Sequence, residues 1–446
     1  MKKQNTYIGI LICILMISCV NDLYNRKLST DSKKKNIDSN QQQDSHNRIK
    51  NSSKNIDIKK ETQISITGNI IDVSNEDTDE LAKNNTNFAW NLYRQLADSS
   101  SKNIFFSPYS VSTALAMTYS GAREQTREEM KTALNFTLPD AKLHRAFSNL
   151  IDKSQSSDNY KFNVANSIWV HSDFSLEKAF IDTLDKNYRS SARKVDFVRA
   201  TEYSRLKINS WVEEKTNKKI KNLLEKNVIT PDTRLVLTNA IYFKGQWAMP
   251  FDNGETRKRK FFGQKESNVD MMSMTNYFLY HEDRNLQAIE LPYEGNSIVA
   301  IILLPNPTQS FTQSIDSFDI NAFLANAKSK NIHFTIPKFK LVDQRSLNKP
   351  LEKMGMKQAF SSSKANFSGI AKKPLVISEI IHKAFIEFDE KGTEAAAATA
   401  VAYSTLSYVD RSEDYLIRFN ANRPFVFLIF DKQTKSTLFL GRIMEL

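Results

Sequence analysis

Apolar residues begin to recur at helical spacing only after residue 87. Phe88, Leu92 and Leu96 fall four apart, flanked by Ala89, Tyr93 and Ala97, which predicts one apolar helical face and the start of the folded part. Ser107 then stands before Pro108, a cap followed by a residue suited to the first helical position, and Gly121 marks the far end. Thr126 and Glu129 have the spacing of a capping box and predict a second helix there. Further along, Leu235 to Phe243, Ile298 to Leu304, His333 to Leu341 and Phe425 to Phe430 are β-branched or aromatic runs bounded by Pro, Gly or Asn and read as strands. Asp431 to Lys435 predicts a hairpin turn into Thr437 to Leu440. Helices early and strands late predict an α+β domain, not a repeated βαβ unit.

The polar pattern before residue 87 predicts something different. Lys2 and Lys3 precede an apolar run from Tyr7 to Ile17, too short for the ~20 residues of a membrane-spanning helix, so residues 1–18 read as a signal peptide. The run ends in Met16-Ile17-Ser18-Cys19, which resembles a bacterial lipobox and implies lipid attachment at Cys19. A cleaved signal with an incidental cysteine is the alternative reading. From Asn25 to Asn87 there is no aromatic, cysteine or proline, so residues 19–86 are expected to form a polar tether that buries too little apolar surface to offset the entropy of ordering. About 60 such residues span ~40 Å root-mean-square. The expected location is outside the cytoplasm, held at the cell surface or outer membrane by the lipid, or secreted if Cys19 is unmodified.

Composition narrows the chemistry. The 11 glycines are never closer than nine residues apart, which excludes the glycine-rich loops that let backbone N–H groups crowd a phosphate. The two cysteines, Cys13 and Cys19, both precede the folded part, so disulfides, cysteine nucleophiles and cysteine-based zinc sites are excluded from it. None of the six histidines begins an HExxH motif and there is no GxSxG elbow. No enzyme activity, metal or cofactor is expected. The net charge of +12 is spread along the chain, and its densest run, Arg257 to Lys260, lacks interleaved aromatics. A solvated face accounts for it better than a polyanion groove, and no specific nucleic-acid partner is expected.

Several motifs then occur together and in order. They are Asn103 to Ser110 with Ser120-Gly121-Ala122-Arg123; Leu237 to Gly245 leading to Trp247; Ile336-Pro337-Lys338-Phe339; His382-Lys383-Ala384; Glu390 to Ala400; and Asn422-Arg423-Pro424-Phe425. In these the chain from about residue 87 to residue 446 resembles the serpin family of protease inhibitors. The resemblance implies three β-sheets, about nine helices and an exposed reactive-centre loop over about residues 390–418. It also implies a monomer that touches membrane only through a lipid anchor.

The stretch Glu394 to Ala402 has two local readings, a helix or linker because of its alanines, or a segment that enters a formed sheet. Inserted as a strand, it places Thr393, Ala395, Ala397 and Thr399 on one face and Glu394, Ala396 and Ala398 on the other. The resemblance makes Glu390, Gly392 and Thr393 to Thr399 the hinge of a loop that inserts after cleavage, carrying an acylated protease with it. It places the scissile bond at Leu406-Ser407, fourteen residues after Gly392, a reach of ~46 Å. Tyr403, Tyr408 and Arg411 are rivals, because Ser407 to Arg418 is long for the family. Leucine before the bond implies a chymotrypsin-like or elastase-like serine protease, with a papain-like cysteine protease second. By the same resemblance Ser107, Ser110, Asn239 and His382 form a polar cluster under the sheet and Trp247 lies at its top. The competing functions are a non-inhibitory serpin acting as a binding protein and a surface adhesin.

Overall fold

Reciprocal caps start the first helix: the Ser74 N–H donates to Asp77 Oδ2 (3.0 Å) and the Asp77 N–H donates back to Ser74 Oγ (3.2 Å). The structure is a computed structural model that describes residues 74–98, 101–154, 156–157, 159–393 and 415–446. Helix α1 runs over Asn75–Asp98, so the ordered chain takes in residues 75–86, which the sequence pattern assigned to the tether. The reason is visible in the packing. Besides Leu81 and Ala82, this part of α1 buries Asn84 and Asn85, whose amides bond the hydroxyls of Thr137 (2.6 Å) and Ser112 (2.6 Å). A helix docked through amides carries little apolar periodicity to detect.

Helices α2 (Pro108–Tyr119), α3 (Glu124–Ala133) and α4 (Asp140–Lys153) come next along the chain. Ser107 caps α2 as expected, its Oγ accepting the Ser110 N–H, and all twelve residues of α2 are buried. The capping box at Thr126 and Glu129 does not form. Helix α3 begins at Glu124 without a side-chain cap, and the two side chains serve distant backbone instead. Thr126 Oγ1 accepts the Asn366 N–H (2.9 Å), and Glu129 Oε2 accepts the N–H groups of Lys357 (2.8 Å) and Gln358 (2.6 Å).

Strand β1 is Ile104–Phe106; β2 (Tyr160–His171), α5 (Lys178–Tyr188), β3 (Ala192–Val195), α6 (Thr201–Lys215) and β4 (Leu235–Gln246) come next. After them run β5 (Arg257–Phe262), β6 (Glu266–Glu282), β7 (Leu286–Pro292), β8 (Ile298–Pro305), α7 (Phe311–Asp316), α8 (Ile320–Asn326), β9 (Lys328–Pro337), β10 (Phe339–Ser346) and α9 (Asn348–Lys353). The chain closes with β11 (Ile377–Asp389), β12 (Gly392–Thr393), β13 (Ile417–Asn420), β14 (Phe425–Asp431) and β15 (Ser436–Ile443). Among the described residues there are thus nine α-helices, as expected. The run His333 to Leu341 is split: it ends β9 at Pro337 and resumes at Phe339 as β10 in the other sheet.

Hydrogen bonding links the strands into two sheets among the described residues, where three were expected. The larger has nine strands in the order β1-β15-β14-β8-β7-β6-β9-β13, with β5 on β6. The 17-residue β6 pairs with β5, β7 and β9 in turn and so fuses two layers into one ladder. The smaller sheet has the order β10-β11-β12-β4-β2-β3. Its central strand β4 is buried on both faces. Leu237, Ile241 and Phe243 join the core that also holds α2 and β14, whereas Val236 and Ala240 pack with Ile208 and Val212 of α6.

The two bonds at Glu129 yield the first prediction. Replacing Glu129 with Ala should lower the intact chain's stability by ~1–3 kcal/mol, because two backbone donors lose a charged acceptor. A urea melt of the intact chain with an unshifted midpoint would contradict this.

Candidate functional site

Along the seam of the smaller sheet, β11 and β4 are direct parallel neighbours from Ile377↔Leu235 to Phe385↔Tyr242. Above that point they part, and β12 sits between them, antiparallel to both. Thr393 lies opposite Phe388 and Gly245, and Gly392 opposite Asp389 and Gln246. The hinge thus enters the sheet for two residues and the seam is closed beneath it.

The turn that leads into β12 is held from every side. Asp389 Oδ1 accepts the N–H groups of Lys391 (2.9 Å) and Gly392 (3.2 Å). Gly392 has φ +151°, and a Cβ there would stand 2.1 Å from the Gly245 carbonyl oxygen, so only glycine fits. Glu390 is buried; it accepts from Lys338 Nζ (2.8 Å) and Thr256 Oγ1 (3.0 Å). Burial alone would raise its carboxyl, but these donors, chiefly Lys338, hold it below the ordinary range. The Trp247 N–H donates to the Lys391 carbonyl (2.9 Å) and its indole to the Asp389 carbonyl (2.9 Å). The indole also stacks on Tyr293 with ring centroids 4.3 Å apart, so Trp247 lies at the top of the seam.

Tyr293 was not singled out in the sequence. Its hydroxyl bonds Thr393 Oγ1 at 2.6 Å, and burial pushes the phenol well above its usual range, so it stays neutral. Thr393 itself is fully buried. Nothing local marks Tyr293 in the sequence, because its partner lies 100 residues away.

Lower down the seam, four of the expected residues meet. The Ser107 N–H donates to His382 Nε2 (3.2 Å), which leaves the ring proton on Nδ1, where it donates to Asn239 Oδ1. Asn239 Nδ2 donates to Ser110 Oγ (2.6 Å) and to Asn166 Oδ1 (2.5 Å), and Asn166 Nδ2 donates to the Ser110 carbonyl (3.0 Å). Asn166 is the member that sequence reasoning missed. Strand register provides the signal, since Asn166↔Asn239 and Asn239↔His382 form one row across β2, β4 and β11. The ring of His382 is a core histidine with both nitrogens hydrogen-bonded.

Burial, together with the Arg345 cation, pushes the His382 imidazole down to about 3. Protonation would also set two N–H donors against each other at Ser107. Remaining expected residues, Glu394, Ala395, Ala396, Ala397, Ala398, Thr399, Leu406, Ser407 and Cys19, lie outside the described residues, as do the signal peptide and residues 19–73 of the tether. Strand β13 is an edge strand of the larger sheet, parallel to β9.

These pKa values predict an acid dependence. Between an unfolded value near 6.5 and about 3 in the fold, the unfolded chain binds a proton that the native chain does not. The stability from His382 is therefore complete above ~pH 6.5 and falls by up to ~1.4 kcal/mol per pH unit as the pH drops towards 3. His382→Gln should reduce that slope in denaturant melts run across this window. An unchanged slope would show that His382 is not the group responsible.

The arrangement can be set beside known proteins. Residues 83–446 match the model of the family described as Serpin (serine protease inhibitor). The chain is 39% identical over 375 residues to a serpin-like protein of Methanosarcina mazei, covering 82% of this chain and 87% of that one. It is 34% identical over 388 residues to human Serpin B3, covering 81% and 98%. Among solved structures it is similar to a thermophilic serpin, tengpin, in the native state, with a TM-score of 0.73, 28% identity and coverage of 89% and 96%. With its two-residue hinge, its closed parallel seam and this match across most of its length, the chain belongs to the serpin family.

Proposed function

We propose that this serpin inhibits serine endopeptidases by covalent trapping, with Leu406-Ser407 as the bond attacked and insertion of the hinge segment as the step that disables the protease. The observation that carries this reading is the register of β12. Because Thr393 stands opposite both Gly245 and Phe388, continuing the strand six residues brings Thr399 opposite Asn239 and His382. Four more bring Tyr403 opposite Leu235, the first residue of β4. Leu406 then falls just past the end of the sheet, ~43 Å from Thr393. An acyl-enzyme held there would hang from the far edge of the molecule.

The chemistry of the segment supports the same reading. Thr393 already points into the core, so Ala395, Ala397 and Thr399 would share that face, where small uncharged side chains meet no desolvation cost. Glu394 would fall beside Lys244 on the other face. The exchange itself is downhill. One parallel seam between β4 and β11 is replaced by two antiparallel ones, and antiparallel pairing is the more stable per residue. Leucine before the scissile bond favours a chymotrypsin-like or elastase-like target over a trypsin-like one. Tethering to a membrane through Cys19 belongs to the same proposal and rests on the sequence.

Mixing the intact chain with chymotrypsin should give a covalent adduct that survives denaturation and a released peptide beginning at Ser407. In Thr393→Arg the protease should instead turn the chain over as a substrate, because a cation would be driven onto the buried face. Cleaved products without adduct from the unmodified chain would favour the non-inhibitory reading. Cleavage in the loop should also raise the melting temperature by roughly 6–13 °C, from about ten new ladder residues at ~0.5–1 kcal/mol each. An unshifted melt after cleavage would remove insertion from the account.

A further inference from the structure

The polar row under the seam does not end at His382. Arg345 of β10 stands directly opposite it, so the row Asn166, Asn239, His382, Arg345 crosses β2, β4, β11 and β10. The Arg345 guanidinium grips Asp343 with two N–H groups, Nε to Oδ1 at 2.7 Å and a terminal nitrogen to Oδ2, a fork that matches a carboxylate. Their side chains are 21% and 11% exposed, so the pair is screened little by solvent. Asp343 Oδ2 in turn accepts the Phe105 N–H at 2.8 Å. Phe105 belongs to β1, an edge strand of the larger sheet, and two residues further on the Ser107 N–H donates to His382 Nε2. The path from β10 to β1 and back to β11 is therefore a closed circuit that ties the two sheets together.

Residues 105–110 straddle the seam. Phe105 and Ser107 hold β10 and β11, whereas Ser110 is held by Asn239 of β4 and Asn166 of β2. Parting β11 from β4 must strain one set of these bonds, and the set on the β11 side contains the charged acceptor. Among the described residues, Arg345 and its partner Asp343 are the charged groups that face the imidazole. Strand β1 and helix α2 carry none, and the charged residues of β11, β4 and β2 alternate onto the opposite face of the sheet. Arg442 of β15 stands opposite Ile104, beyond Phe105.

We propose that Arg345 and Asp343 are positioning residues that keep the seam shut in the uncut chain: the ion pair straps β10 to β1, and β1 holds the Ser107 N–H on His382. This rests on the reading that the seam opens to admit residues 394–403. Without the cation, Asp343 is left largely buried and lacks its counter-charge. The hold on Phe105 then weakens, and β11 is freer to leave β4 before any protease has cut the loop. The cation also helps to keep the imidazole neutral, so that Nε2 remains an acceptor for Ser107. Removing it brings the native pKa of His382 up towards the unfolded one, and the stability lost on acidification then stops falling at a higher pH.

Arg345→Gln and Arg345→Lys, made in the full-length chain, test this. Near-ultraviolet circular dichroism matching the parent would show that both fold. Amide hydrogen exchange at Phe105 and Ser107 should be ~tenfold faster in Arg345→Gln, and its decline in stability below ~pH 6.5 should end at a higher pH than in the parent. Arg345→Lys keeps the charge without the fork, so it should restore the parent's pH profile and only part of the protection. On storage without protease, Arg345→Gln should also pass ~tenfold faster to an uncut form that resists urea. Parent exchange rates and an unchanged pH profile in Arg345→Gln overturn the strap, whatever the seam does. Equal rates of conversion in parent and variant overturn its hold on the seam, provided the cut parent gains stability. A cut parent that gains none refutes the insertion reading, and the proposal falls with it.

Discussion

Everything in this fold turns on two strands that are neighbours in the wrong sense. β4 and β11 lie parallel along a closed seam, while the strand that starts between them, β12, is antiparallel to each. A sheet that admits an antiparallel strand at its top and closes with a parallel pair below has a better pairing available to it. The polar row Asn166, Asn239 and His382 lies across that seam. It is satisfied by hydrogen bonds from Ser107 and Ser110 at the start of α2, so opening the seam means exchanging bonds in a dry interior, where an unpaired polar group is costly. Under the proposed mechanism the row would therefore act as a barrier to insertion without making insertion unfavourable.

At the top of the seam two residues, Gly392 and Thr393, already pair between β11 and β4. Gly392 supplies a backbone conformation and a close approach that no other residue allows. Lys338 and Thr256 hold Glu390, and Trp247 holds the carbonyls of Asp389 and Lys391. Thr393 is committed to Tyr293. The turn is thus fixed by groups on four separate segments, which would give the proposed insertion a rigid starting point.

Much of this was legible in the sequence where the signal was local. Ser107 and Pro108 cap and open a helix with the cap bond in place, and the β-branched runs at 235–243, 298–304 and 425–430 are strands. Local signals failed where a side chain was spent on distant backbone. Thr126 and Glu129 have the spacing of a box but bond residues 366, 357 and 358. Periodicity failed at residues 75–86, because α1 docks there through Asn84 and Asn85, and at Lys338, where one apolar run serves two sheets. At the candidate site, motif order located Ser107, Ser110, Asn239, Trp247 and His382. Asn166 and Tyr293 are joined to them only by cross-strand register and by a contact over 100 residues, which no window along the chain contains.

The central claim is that the intact chain is held short of its most stable pairing and that residues 394–403 complete the smaller sheet once the loop is cut. Hydrogen exchange at the amides of Ala395 to Thr399, compared before and after cleavage at Leu406, tests this most directly. The account predicts that in the cleaved chain these amides become as protected as those of β4. Exchange that stays at the rate of an open loop after cleavage would contradict it.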